Sequence, residues 1–279
     1  TFIGEEAAIM SMWTLSANNR FPGWIGPVIV LGLLASGAAH SADDGITRLL
    51  QAYPQHLCDA EASSVVWCDG TKMPYAETGG EKTHRQKLQR ADLRDQMEQR
   101  YPAGTNYPAP PPPDFEPGRI RNEAFFKKMY GASPEAVRKR LAPVAWLPKS
   151  GGKRIWITTV NRVNERLQAI SDELDQLPAE LKRYVDQPAG TFNWRVIAEE
   201  KRLSPHSFGI AIDINAATGD YWLWRADSGG IMGYRNRIHM KIVEIFEKHG
   251  FIWGGKWHHY DTLHFEYRPE LLPLPRNRG

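Results

Sequence analysis

The stretch SPHSFGIAIDIN, Ser204 to Asn215, sets a histidine and an aspartate among three isoleucines. An ionised carboxylate is costly to bury without a partner, so something positive is expected beside Asp213. Ile210, Ile212 and Ile214 alternate with Gly209, Ala211, Asp213 and Asn215, the pattern of a strand with one apolar and one small or polar face. His206 precedes Asp213 by seven positions, at the end of RLSPH, where a turn can bring its imidazole alongside. In the later run LHFEY, Leu263 and Phe265 face away from His264 and Glu266. Two imidazoles and one carboxylate are a usual ligand set for a catalytic zinc ion with a fourth position left for water. Gly209 and Ala211 leave room for that water and a substrate. A hydrogen-bonded loop or a salt bridge would use the same residue types, and spacing alone does not choose between them.

Several elements must position these residues. Charged, weakly periodic sequence predicts a helix over 85–99, and amphipathic patterns predict short helices over 123–130 and 134–141, with Pro134 following the cap residue Ser133. Val160, Val163, Leu167, Ile170 and Leu174 make one stripe and predict a helix over 158–174. Residues 192–197 and 210–214 are expected as strands, and 236–249 as a helix closed by Gly250. FIWGG and LHFEY read as further short strands. The resulting class is α+β: a small, mainly antiparallel sheet with flanking helices and the zinc site at the sheet face.

Two blocks, SPHSFGIAID and GFIWGGKWHHYDTLHFE, resemble the zinc peptidase family of D-alanyl-D-alanine carboxypeptidases and dipeptidases and L-alanyl-D-glutamate endopeptidases, which cut the peptide stems of bacterial cell walls. The family pattern is met at Ser204, His206, Gly209, Ala211, Asp213, Trp253, Gly254, Gly255, Trp257, Asp261 and His264. The resemblance extends over residues 155–272. It implies one catalytic Zn2+ held by His206, Asp213 and His264, with Asp261 as the carboxylate that moves the proton. Turn capping and a fourth ligand position are the alternatives for Asp261. The family also uses an arginine upstream of the first histidine. Arg195 in FNWRVI is chosen for that role and Arg202 is its rival; the usual segment around such an arginine is missing. Ser204, Trp253, Trp257 and Glu266 are candidates for substrate contact or for orienting the ligands. Of the adjacent His258 and His259, at most one is expected to face the site. Ser204, His206 and Asp213 are not read as a hydrolase triad, because no strained nucleophile turn surrounds Ser204.

Residues 1–41 read as a signal peptide with upstream residues: a basic start at Arg20, an apolar run, and small residues near Ser41. Export implies a periplasmic protein, with secretion as the alternative, and no stable membrane span after processing. The only two cysteines, Cys58 and Cys68, are then expected to form a disulfide. Residues 42–117 form an N-terminal region ending in a connector with seven prolines over 101–118, and 118–279 form the metallopeptidase domain. A formal charge of +3 with interspersed acids and bases argues against a nucleic-acid partner. The expected function is zinc-dependent hydrolysis of an amide in peptidoglycan stem peptides, carboxypeptidase-like or endopeptidase-like. The alternative is a catalytically weak or inactive zinc-containing module that binds peptidoglycan.

Overall fold

The structure, a computed structural model, describes residues 39–197, 200–225 and 233–273. The expected leader, residues 1–41, lies outside them apart from its last three residues. Among the described residues no helix is long and apolar enough to cross a membrane.

Helix α1 (Ala39–Ala52) buries Ile46 and Leu49, with Tyr53 just beyond its end. The chain then makes an antiparallel three-stranded sheet, β1 (Leu57–Glu61), β2 (Ser64–Trp67) and β3 (Lys72–Pro74). Val65 and Trp67 point inward and Cys58 is joined to Cys68, as the cysteine reading expected. The single helix expected over 85–99 is two, α2 (His84–Arg90) and α3 (Leu93–Glu98). Asp92 breaks it: its carboxylate accepts from the Asp95 N–H at 2.8 Å and the Asp95 carboxylate accepts from the Asp92 N–H at 3.0 Å. This reciprocal cap starts a new helix, with Lys82 neutralising both acids at 3.1 and 2.6 Å.

Helices α4 (Glu123–Tyr130) and α5 (Pro134–Arg138) begin at the side-chain caps Asn122 and Ser133. A two-stranded hairpin follows, β4 (Leu141–Trp146) and β5 (Lys153–Thr158). Helix α6 (Val163–Leu174) starts later than its stripe predicts, because Thr158 still belongs to β5 and Asn161 and Arg162 take left-handed φ of 57° and 58°. After α7 (Ala179–Lys182) come β6 (Pro188–Gly190), β7 (Ala211–Asn215), α8 (Trp222–Arg225), α9 (Met240–Lys248), β8 (Phe251–Trp253) and β9 (His264–Tyr267). The last four strands form one antiparallel sheet, in the order β6-β7-β9-β8.

The strand expected over 192–197 is absent; only a bridge from Val196 to Leu203 remains. The Ser207 hydroxyl donates to the Arg195 carbonyl at 2.9 Å, with the Asn193 carbonyl 3.3 Å away, and accepts from the Arg195 N–H, so a side chain holds this segment where a ladder was expected.

Alternation along β7 and β9 divides this sheet into two faces. Ile212 and Ile214 join Ile242, Phe246 and Phe265 in the core, and the Phe246 and Phe265 rings stack at 3.9 Å. Ala211 pairs with Glu266 and Asp213 with His264, which puts the chemistry on the opposite face.

Residues 39–117 belong to the same compact unit as this sheet and pack on its surrounding elements. Tyr53 donates to Glu270 at 2.6 Å and Tyr101 to Glu247 at 2.7 Å. The buried Lys256 ammonium donates to the Pro102 and Gly104 carbonyls, both at 2.7 Å, and to Glu247 at 2.6 Å. The proline-rich connector is thereby fastened to α9 and to the turn after β8 by a fully hydrogen-bonded buried cation.

Candidate metal centre

His206 is carried by a short 3₁₀ turn, Pro205–Phe208, for which Ser204 is the cap residue, accepting from the His206 N–H at 3.4 Å. Gly209 closes the turn at φ 63°, in the left-handed region that favours glycine. A Cβ there would also lie 2.8 Å from a methyl of Leu141. The turn thus delivers the imidazole to the sheet face just before β7 begins.

Three donor atoms converge on that face. His206 Nε2 lies 3.2 Å and His264 Nδ1 3.0 Å from Asp213 Oδ1, and the two ring nitrogens are 3.3 Å apart. Among the described residues this is the one group of three or more acidic, histidine or cysteine side chains whose ligand atoms all fall within 4.8 Å of one another. Each imidazole is oriented from behind: His206 Nδ1 meets the Thr191 carbonyl at 2.5 Å, and His264 Nε2 meets Glu266 Oε2 at 3.1 Å. Holding the outer ring nitrogen turns the inner one toward the centre, where it can ligate once it has shed any proton, the usual arrangement behind metal-binding histidines. Two nitrogens and one carboxylate oxygen on a buried, pre-oriented face fit a divalent metal ion.

The electrostatics agree. Against the desolvation of burial, His206 and His264 hold the Asp213 carboxyl well below the usual carboxylate range. Despite its burial, His264 is pushed up to about 10 by Asp213 and Glu266. Glu266, fully buried, is brought down to about 2 by His264, Arg121 and Arg268. Arg268 donates to Glu266 at 2.9 Å and to Glu270 at 2.7 Å, so the carboxylate behind His264 is a paired, permanent negative charge.

Asp261 lies in the same cleft. Its backbone N–H donates to the Gly254 carbonyl at 3.0 Å, and a Cβ on Gly254 would sit 2.6 Å from the Asp261 carbonyl oxygen, so the glycine permits this approach. Asp261 Oδ1 is buried and has no hydrogen-bond partner among the described residues. Burial first, then the Asp213 charge, raise the carboxyl to about 6. A carboxyl poised near neutrality with an unpartnered oxygen is suited to receive and return a proton.

The other sequence candidates divide. Trp257 lines the cleft, its ring 5.6 Å from that of His264 and its Nε1 donating to the Pro117 carbonyl at 2.7 Å. Trp253 is core, fully buried and donating to the Thr262 carbonyl at 2.9 Å. His259 lines the cleft, whereas His258 does not. Arg195 is exposed and lines the cleft, and its guanidinium makes no hydrogen bond or ion pair among the described residues. Arg202 also lines the cleft but is buried, bound to Glu200 and to the Arg119 carbonyl.

Sequence reasoning missed Arg119 and Arg121, which line the cleft of about 310 Å³ together with Tyr221, Trp222 and Trp224. No local pattern marks them: residues 117–119 form a turn, closed by the Arg119 N–H on the Glu116 carbonyl at 3.0 Å, so their place at the cleft is set by the fold.

Residues 198–267 match the family described as D-alanyl-D-alanine carboxypeptidase. The matched segment contains His206, Asp213, Asp261 and His264 and both sequence blocks that carry the resemblance. No curated protein and no solved structure matches the chain.

Proposed function

We propose that the protein is an exported zinc peptidase that hydrolyses an amide in bacterial wall stem peptides, releasing a terminal D-alanine. The observation that carries this reading is the juxtaposition, in one cleft, of the His206–Asp213–His264 donor set with the Asp261 carboxylate, whose Oδ1 has no partner among the described residues. A structural metal site needs a closed ligand set and no adjacent base, so this arrangement favours catalysis over a purely binding role.

A zinc ion held by His206, Asp213 and His264 would polarise the scissile carbonyl and acidify the attacking water. The chain's own residues supply the rest. Asp261 takes the proton from the attacking water at its free oxygen and returns it to the leaving amine. Glu266 and the Thr191 carbonyl hold the two imidazoles in orientation. Arg195, exposed at the cleft and without a partner among the described residues, is placed to meet negative charge developing on the carbonyl oxygen. Carboxypeptidase-type cleavage is supported by the four arginines around the cleft, Arg119, Arg121, Arg195 and Arg202, which suit a substrate ending in a carboxylate. The Cys58–Cys68 disulfide supports a periplasmic location.

Digestion of purified peptidoglycan and of a pentapeptide ending in D-alanyl-D-alanine, read by mass spectrometry, tests this. Zinc-dependent loss of terminal D-alanine is expected. New amino termini at D-glutamate would mean endopeptidase cleavage instead, and bound wall without product would mean a binding module.

A further inference from the structure

Glu116 lies near the end of the proline-rich connector and is fully buried, outside the segment that matches the carboxypeptidase family. Its Oε1 accepts from Arg119 Nη1 at 2.5 Å, from the His259 backbone N–H at 3.1 Å and from the His259 ring Nδ1, while Oε2 meets His84 Nε2 at 3.0 Å. Although burial opposes the ionised form, His259, His84 and Arg119 keep this carboxyl well below the usual range. Its neighbours are not a random selection. Arg119 and His259 both line the catalytic cleft, and the His259 ring packs edge-on against Trp222, another cleft residue, at 4.6 Å. Next to Glu116 in sequence, the Phe115 carbonyl accepts from the His258 N–H at 2.8 Å and the Pro117 carbonyl from Trp257 Nε1. The connector is therefore laced along the segment that leads to Asp261.

We infer that Glu116 is a positioning residue that sets Arg119 and His259 as a wall of the cleft, and that this wall holds a carboxylate of the substrate. Arg119 is gripped from behind through Nη1 by Glu116 and through Nη2 by Glu200 at 3.2 Å. A guanidinium has five N–H donors in a rigid fork, so donors remain for a second, planar oxyanion. Arg121 and Arg202 line the same cleft and are buried, so the positive field extends beyond Arg119. His259, its Nδ1 held by Glu116 and its ring against Trp222, forms the flank of that wall beside Arg119.

The inference deepens the peptidase reading and rests on it for the kind of ligand, but binding can be measured without turnover. In an Asp261→Asn background, zinc-loaded protein would be titrated with the D-alanyl-D-alanine pentapeptide and with its C-terminal amide. The carboxylate form is expected to bind at least tenfold more tightly. Glu116→Ala should remove most of that ratio while leaving affinity for the amide within threefold, and Glu116→Gln, which keeps an acceptor for Arg119 and His259, should restore most of it. If Glu116→Ala does not fold, Arg119→Met carries the same expectation. Equal binding of the two peptides by the parent, or an unchanged ratio in Glu116→Ala or Arg119→Met, would overturn the inference. A parental enzyme that cleaves nothing while the binding ratio behaves as expected would discard the peptidase reading and leave this wall standing.

Discussion

Asp213 and His264 face each other directly across β7 and β9, with Asp213 Oδ1 3.0 Å from His264 Nδ1. A cross-strand pair of this kind is fixed by the register of the whole sheet. The donor set is thus as rigid as the core beneath it, where Ile212 pairs with Phe265.

Removing a ligand should be distinguishable from disturbing its support. Asp213→Ala and His264→Ala are expected to weaken zinc binding by more than the ~10–100-fold typical of a lost outer partner, the range expected for Glu266→Gln. Competition titration with a chromogenic chelator measures both. Ligand variants that retain parental affinity would mean the ion lies elsewhere.

Asp261→Ala should keep the metal and lose turnover, with kcat reduced by about 10²–10⁴-fold, the usual contribution of a positioned acid–base group. Elemental analysis and kcat are read on the same preparation. Arg195→Ala in that assay is expected to lower kcat/KM, and an unchanged value would take Arg195 out of the reaction.

Metal uptake should be linked to protons. In the metal-free protein His264 is held up at about 10 by Asp213 and Glu266, so a bound proton must leave before its Nδ1 can ligate. Zinc affinity is expected to rise about tenfold per pH unit between pH 7 and 9, with one proton released, as calorimetry in buffers of different ionisation enthalpy would show. The same group sets the stability of the metal-free form. Its folded pKa lies above the unfolded value of ~6.5, so its contribution is complete below that value and is lost as pH rises toward 10. Asp261, at about 6 against an unfolded ~3.9, stays protonated longer in the folded state, so stability falls as pH rises between those values. Urea midpoints of metal-free protein across pH 4–10 should show both declines, the lower one absent in Asp261→Asn.

The Cys58–Cys68 bond closes a loop with a sequence separation of 10 beside the buried Val65 and Trp67. Replacing both cysteines with serine should lower unfolding free energy by about 2–3 kcal/mol on loop-closure grounds. Urea denaturation of the zinc-loaded protein measures this. A loss below ~0.5 kcal/mol would mean that the unfolded chain is not constrained by the bridge.

The residue chemistry and the strand alternation around the centre were legible in the chain itself. His206, Asp213, His264 and Asp261 stood out by type and spacing or by resemblance, and the structure brings all four into one cleft. Helices α4, α6 and α9 were legible for the same reason: side-chain period and caps act over a few residues and are written locally. What needed the tertiary structure was every decision made between distant segments. Trp253 and Trp257 are equivalent in a string of letters, yet packing makes one core and the other a wall of the cleft. The segment over 192–197 has strand-like letters, but the Ser207 hydroxyl offers its backbone a competing set of hydrogen bonds. Glu116 carries no local mark at all; its role exists only because folding places it against His84, Arg119 and His259 and removes all four from most of the water. Local periodicity can announce which face a side chain takes, but the partners that orient a buried charge are chosen by the closure of long loops, which no short stretch of sequence encodes.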